Sequence, residues 1–141
     1  ARSGAAVAFV ESSMTSLTAG VHSLPFSPLY DRVVRWKSAV VGGSGADLEA
    51  GLRLRRVFLD AGLSEPVVRF HAHVEGGPDS PWYAYIQESV TSMLPRAREL
   101  GVDGFDEASV ATLADEPRAE TVASGGVLMG WPVVTAWARV P

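Results

Sequence analysis

SGADLEAGLRLRRVFLDAGLSEPVVRFHAHVE, residues 44–75, changes its hydrophobic period partway along. Up to Gly62 the apolar residues recur at the spacing of a helix face: Leu48, Leu52, Leu54, Phe58 and Leu59. Glu49, Arg53, Arg56 and Asp60 form the polar stripe, with Glu49 and Arg53 at the i,i+4 spacing that favours an ion pair. Asp47 offers an N-cap and Gly62 a C-terminal stop, which predicts a helix over 48–61. Beyond it the period drops to two. Val68, Phe70, Ala72 and Val74 face one way, and Val67, Arg69, His71 and His73 the other, which predicts a half-exposed strand over 66–75.

Working towards the N-terminus, Gly42-Gly43-Ser44-Gly45 stops an earlier helix. That helix starts at Ser27-Pro28, with serine at the N-cap and proline at the first helical position, and carries Leu29, Val33, Trp36 and Val40 at helical spacing. Before it, Ala5-Ala6-Val7-Ala8-Phe9-Val10 is a nearly continuous apolar run, the pattern of a strand buried on both faces in a parallel sheet. Towards the C-terminus, a helix begins at Ser80-Pro81 and presents Ile86, Val90, Met93, Ala97 and Leu100, with a kink expected at Pro95. A weaker helix starts near Asp106, is interrupted at Pro117 and stops at Gly125-Gly126. Residues 127–140, rich in Val, Trp and Thr, read as a strand bent near Gly130 and Pro132. The order is strand, two helices, strand, two helices, strand: an α/β chain forming a single domain over 1–141, without repeat or linker.

Composition bounds the partners. Hydrophobic residues make up 47% and charged residues 20% of the 141, as in globular domains. No apolar run approaches the ~18 residues of a membrane span, so no membrane partner is expected. The net charge is −4, and the one dense basic stretch, Arg53, Arg55 and Arg56, is flanked by Glu49 and Asp60. A nucleic-acid partner is therefore not expected. The chain has no cysteine, which removes disulfides, thiolate chemistry and cysteine-ligated zinc. With no signal-peptide profile at the start, a cytoplasmic setting is expected. There is no Gly-x-Ser-x-Gly elbow, no His-Glu-x-x-His and no phosphate-binding Gly-x-x-x-x-Gly-Lys.

Ser44-Gly45-Ala46-Asp47, then Gly51, Leu54, Phe58 and Ala61-Gly62-Leu63, resemble the segment that follows the fifth strand of class I, S-adenosylmethionine-dependent methyltransferases. Pro132-Val133-Val134-Thr135-Ala136-Trp137-Ala138-Arg139 resembles the seventh strand of that group, and Val7-Ala8-Phe9-Val10-Glu11 the end of the fifth. The resemblance covers essentially the whole chain. It implies the C-terminal part of a Rossmann-like methyltransferase sheet, strands five to seven, with the seventh antiparallel between the fifth and sixth. The helix at 28–41 would be an inserted cover over the active site, and the helices of 80–124 a second insertion. The implied activity is methyl transfer from S-adenosylmethionine to a small-molecule substrate.

The family grips its cofactor on its first strand and the Gly-rich turn after it, with an acidic residue closing the second strand. No such unit is present: no strand precedes Gly42-Gly43-Ser44-Gly45, and its spacing differs. The resemblance thus implies that the cofactor-binding N-terminal half lies outside this chain, and that the isolated chain is inactive. As a central strand left with a free edge, residues 5–11 are expected to pair with that missing half or with a second copy of the chain. The alternative is a non-catalytic α+β module that binds a hydrophobic ligand or associates with itself through the same edge.

Seven residues are candidates for the substrate side. Glu11 and Ser12 close the first strand, where open α/β sheets place their ligands, although a solvated strand end reads the same way. His22, in the loop that follows, is either a general base or a surface loop histidine. Tyr30 and Trp36 lie on the cover helix, where aromatics line substrate pockets; Trp36 shares a stripe with Leu29 and Val33, which favours plain packing. Trp82 and Tyr85, beside Tyr83, cluster at the start of the third helix and suit an aromatic or polyketide-like substrate, or else helix packing. His71 and His73 are spaced i,i+2, but with no cysteine and no clear third ligand no metal site is expected.

Overall fold

A computed structural model describes residues 2–141. The chain is a mixed α/β protein built on two small antiparallel sheets. Its elements run β1 (Ala6–Ser12), α1 (Met14–Ala19), β2 (Ser23–Leu24), α2 (Pro28–Gly43), α3 (Ala50–Asp60), β3 (Val67–His71), β4 (Val74–Glu75), α4 (Trp82–Leu100), α5 (Glu107–Val110), α6 (Asp115–Ser124), β5 (Val127–Met129) and β6 (Val133–Arg139). Among the described residues, no helix is long and apolar enough to cross a membrane.

The first sheet has the order β1-β6-β3. β6 is antiparallel to both neighbours, with Ala6 opposite Arg139, Ser12 opposite Val133, Val67 opposite Trp137 and His71 opposite Val133. β1 and β3 therefore point the same way without touching, and their carboxyl ends meet the start of β6 at one edge. No parallel pairing occurs among the described residues. The second sheet, β2-β5-β4, is antiparallel throughout and lies beyond that edge.

The sheet change explains two departures from the expected strands. Residues 66–75 form not one strand but two, because β3 stays on β6 while β4 crosses to β5. Residues 127–140 split in the same manner at 130–132. The Gly130 amide donates to the His73 carbonyl at 2.8 Å, which ties the two breaks together.

Local chemistry sets the helix ends. The Ser27 hydroxyl accepts from the Tyr30 amide at 3.2 Å and donates to Glu120 at 2.6 Å, capping α2 and tying it to α6. α2 runs through Gly42 and Gly43 and stops at Ser44. α3 begins at Ala50, later than its apolar pattern suggests: Leu48 is spent in the preceding turn, where its carbonyl accepts from Met14, and Asp47 accepts from the Glu49 amide. Gly62, at φ +72°, follows α3, and the Leu63 amide reaches back to the Phe58 carbonyl. α4 continues across Pro95. The weaker helix near Asp106 is two helices, α5 with an Asp106–Ser109 capping box, and α6. Pro117 does not break α6, since it lies in the first turn, where a missing amide costs no intrahelical bond. The sequence pattern missed α1 and β2, both too short to show a period.

Two cores result. α3 presses Leu54 and Phe58 onto Val134, Ala136 and Ala138 of β6, with Val7 and Val68 at the margins. The larger core joins Leu17, Tyr30, Val33, Val34 and Val40 to Tyr83, Ile86, Val90 and Leu94, so it lies chiefly between α2 and α4. The expectation that residues 5–10 are buried on both faces is corrected. α3 covers one side only, and β1 is exposed apart from a half-buried Val7. Phe9 meets Phe58 edge-on at 5.8 Å, yet remains 49% exposed. On the uncovered face, register brings Ala8, Val10, Trp137 and Val67 together, with Val10 60% exposed.

Gly51 is where α3 meets the sheet. A Cβ there would stand 2.9 Å from Val134 Cγ2 and 3.0 Å from the Glu11 and Ser12 carbonyl oxygens. Backbone atoms cannot swing aside, so Gly51→Ala should separate helix and sheet. Overpacking of about 1–3 kcal/mol outweighs the ~1 kcal/mol gain in helix propensity, and urea denaturation should show a net loss.

Candidate functional site

The edge where β1 and β3 end is the start of the site. The Ser13 amide donates to the Pro132 carbonyl at 3.0 Å, which holds Trp131 at that edge. Above it, α2 contributes Tyr30 and Lys37, two turns apart on one face, and α4 contributes Trp82, Tyr85 and Ser89 at i, i+3 and i+7.

These side chains form one connected group. The Tyr30 hydroxyl donates to the Met129 carbonyl at 2.7 Å and accepts from the Trp82 indole N–H at 3.0 Å. Trp82 stacks on Tyr85 with centroids 4.5 Å apart and leans towards Trp131 at 6.3 Å. Gly130 makes room for this, since a Cβ there would come within 2.8 Å of the Trp82 ring. Lys37 Nζ lies 4.0 Å from the Trp131 ring centroid and 4.9 Å from that of Tyr85, and donates to Ser89 Oγ at 2.8 Å.

Electrostatically the group is unusual. Lys37 is only 5% exposed, and burial pushes its amine down to about 8. Among the described residues no carboxylate lies within ion-pair distance of it. The Trp131 indole N–H is buried without an acceptor. Burial pushes the Tyr30 phenol far up, so at neutral pH it acts as a fixed hydrogen-bonding post rather than as an acid or base.

Of the residues singled out from sequence, Tyr30, Trp82 and Tyr85 come together here. Trp36 does not: it lies on another face of α2, edge-on to Phe105 at 5.3 Å, with its indole N–H also buried and unpaired. Glu11 and Ser12 are exposed at the end of β1, opposite Val134 and Val133, and make no side-chain hydrogen bond to the cluster. His22 is not a surface histidine. It is 4% exposed, with Nδ1 3.2 Å from the Leu17 and Gly20 carbonyls. Its Nε2 stands 3.1 Å from Asp31 Oδ1, near enough for an ion pair though not aligned as a hydrogen bond. Both nitrogens face protein acceptors, so the ring clamps the α1–β2 turn to α2 and is not offered to a substrate. The Arg35 guanidinium, bonded to Asp31, holds that carboxyl below its usual range. His71 and His73 part company where β3 ends, and His71 only approaches Thr135 at 3.4 Å.

Sequence reasoning missed Lys37 and Trp131. A signal was available for the first: Lys37 is the only lysine in a chain otherwise charged by arginine, and it interrupts a run of residues destined for burial, Val33, Val34, Trp36, Ser38 and Val40. A surface hollow of about 610 Å³ beside Arg32, Arg98, Asp103, Phe105 and Asp106 is a weaker candidate. Most of its charges are already engaged: Arg98 with Glu107, Asp106 as the cap of α5, and Arg32 over the Phe105 ring.

A Lys37 amine lowered by folding makes stability depend on pH. The unfolded chain holds this proton up to the ordinary lysine range and the folded chain only to about 8, so stability should rise as pH climbs past 8. The expected gain between neutral pH and about pH 9.5 is on the order of 2 kcal/mol, and above about pH 10 Tyr30 should oppose it by ionising first in the unfolded chain. Lys37→Met should abolish the rise in urea denaturation curves. Tyr30→Phe should cost about 1–2 kcal/mol in the same measurement, because it strands the Met129 carbonyl and the Trp82 N–H. No protein-family model and no curated protein sequence matches the chain.

Proposed function

We propose that this chain is the substrate-side portion of an S-adenosylmethionine-dependent methyltransferase that acts on a small molecule. The observation that carries the reading is the strand order β1-β6-β3, with the last strand antiparallel between two strands that run the same way. It is the arrangement implied for strands five, seven and six by the resemblance at residues 7–11, 44–63 and 132–139. The position of α2 and α4 supports it too: they pack against Met129 and Trp131, which lead into β6 at the carboxyl ends of β1 and β3, the end where α/β enzymes hold their ligands.

The described residues do not fit the cofactor itself. Gly42 and Gly43 end a helix and Gly45 follows it, so the turn presents carbonyl groups instead of the amides of a strand-to-helix turn. The cofactor grip therefore belongs, in this reading, to a section outside the chain. The unpaired outer edge of β1, with Phe9 and Val10 exposed, is where that section would join. What this portion contributes is a wall and a roof: they align a substrate and exclude water around it. Alone, it has no methyl donor site and no activity.

A second reading rests on the same edge. β1 and the apolar face of Ala8, Val10, Val67 and Trp137 also suit self-association of a non-catalytic module. Calorimetric titration with S-adenosylhomocysteine separates the two. The methyltransferase reading predicts one site per chain in the product of the complete reading frame and none in residues 1–141 alone. A complete product that ignores S-adenosylhomocysteine, while residues 1–141 sediment as a dimer, would overturn it in favour of the module.

A further inference from the structure

Lys37 is a buried cation with too few partners. An ammonium group carries three N–H donors, and here one reaches an oxygen, Ser89 Oγ. Ser89 in turn donates its own proton to the Ile86 carbonyl at 2.9 Å, so it is a neutral acceptor with no charge to offer. The other surroundings of Nζ are the ring faces of Trp131 and Tyr85. π faces soften a buried positive charge but do not neutralise it, and buried charges are ordinarily paired. The groups set against Nζ are Tyr85 and Ser89 from α4 and Trp131 from the segment before β6, and none is a carboxylate.

A second donor belongs to the ring on which Nζ rests. The Trp131 indole N–H is buried and makes no hydrogen bond, which natural structures rarely leave unexplained. The neighbouring wall is flat and aromatic: Trp82 and Tyr85 are stacked, Trp82 is pinned by its bond to Tyr30, and Tyr85 is 44% exposed. Tyr85 is thus the most exposed member of the group, with Trp82 and Trp131 half-buried, and it lies over Lys37.

We infer that Lys37, Trp131 and the Trp82–Tyr85 stack form a binding site for a planar aromatic ligand that bears an anionic oxygen, a carboxylate or phenolate. The anionic group takes spare donors at Lys37 and Trp131, and the ring stacks on Trp82 in the place of the exposed Tyr85 ring, which turns outward. Within the proposed function this names the class of methyl acceptor. Binding itself needs no cofactor, so it is tested independently of that reading.

The experiment is a titration of the chain with 2-naphthoate and with its neutral counterpart 2-naphthamide, followed by tryptophan fluorescence. Charge-assisted hydrogen bonds to Lys37 should make the carboxylate about tenfold tighter or more. Lys37→Met should erase the preference while leaving the far-ultraviolet circular dichroism unchanged. A preference that survives the substitution, equal affinities, or no binding of either compound would overturn the site. Should Lys37→Met not fold, the wild-type chain still decides. Because Lys37 is the only lysine, acetylation by sulfo-N-hydroxysuccinimide acetate near pH 8 can be followed at that position by peptide mass spectrometry. 2-Naphthoate should slow it several-fold and 2-naphthamide should not; equal rates would overturn the proposal. Failure of the complete protein to bind S-adenosylhomocysteine would leave these results untouched and would remove only the methyl-acceptor role.

Discussion

β6 holds the molecule together. It is the last strand of the chain, yet it pairs along its full length with the first strand on one side, and from Val133 to Trp137 with β3 on the other. Every element between is constrained by that closure. α3 has a floor to pack on because Val134, Ala136 and Ala138 of β6 face it. The break at 130–132, which delivers the chain into β6, is also what separates the two sheets and sets Trp131 at the edge where β1 and β3 end. The site is a consequence of this crossing: it collects the residues that α2, α4 and the 130–132 segment present above that edge.

The two cores differ in completeness. Between α2 and α4, large side chains such as Tyr30, Tyr83, Val33 and Ile86 are fully buried, and that half has the character of a finished interior. The sheet half is covered on one face only, and its other face carries Val10, Val67 and Trp137 at exposures of 40% or more. An open strand edge beside an exposed apolar face is a surface that pairs. In the proposed enzyme that surface is internal, which reconciles the near-continuous apolar sequence of residues 5–10 with its exposure here.

What the sequence made legible follows the range of the forces involved. Capping is local chemistry, so Ser27-Pro28 and Gly62 mark their helix ends correctly, and the helical period of residues 29–40 and 86–100 reports true faces. The alternation after Pro66 reports a true strand, but not the point where it leaves one sheet for another. That point depends on the Gly130–His73 hydrogen bond, made between residues far apart in the chain. Burial was the least legible property. His22 reads as a loop residue and is enclosed, since its partners Leu17, Gly20 and Asp31 are fixed only when α1 folds against α2. Lys37 reads as one positive charge among twelve, and its isolation from carboxylates exists only in three dimensions. The aromatics at 82 and 85 were visible as candidates because composition alone draws notice to them, whereas Trp131 was read simply as part of a bent strand.

The claim that residues 1–141 are one side of a larger sheet bears most directly on the backbone of β1. Alternate amides of that strand bond to β6, and the others point to the free edge. Hydrogen–deuterium exchange of residues 6–12, compared between this chain and the product of the complete reading frame, tests it. In the isolated chain the outward amides should exchange rapidly, and in the complete protein they should be protected like their β6-bonded neighbours. Equal and rapid exchange in both would mean that nothing pairs with β1, and would contradict the assignment of this chain to the interior of a methyltransferase sheet.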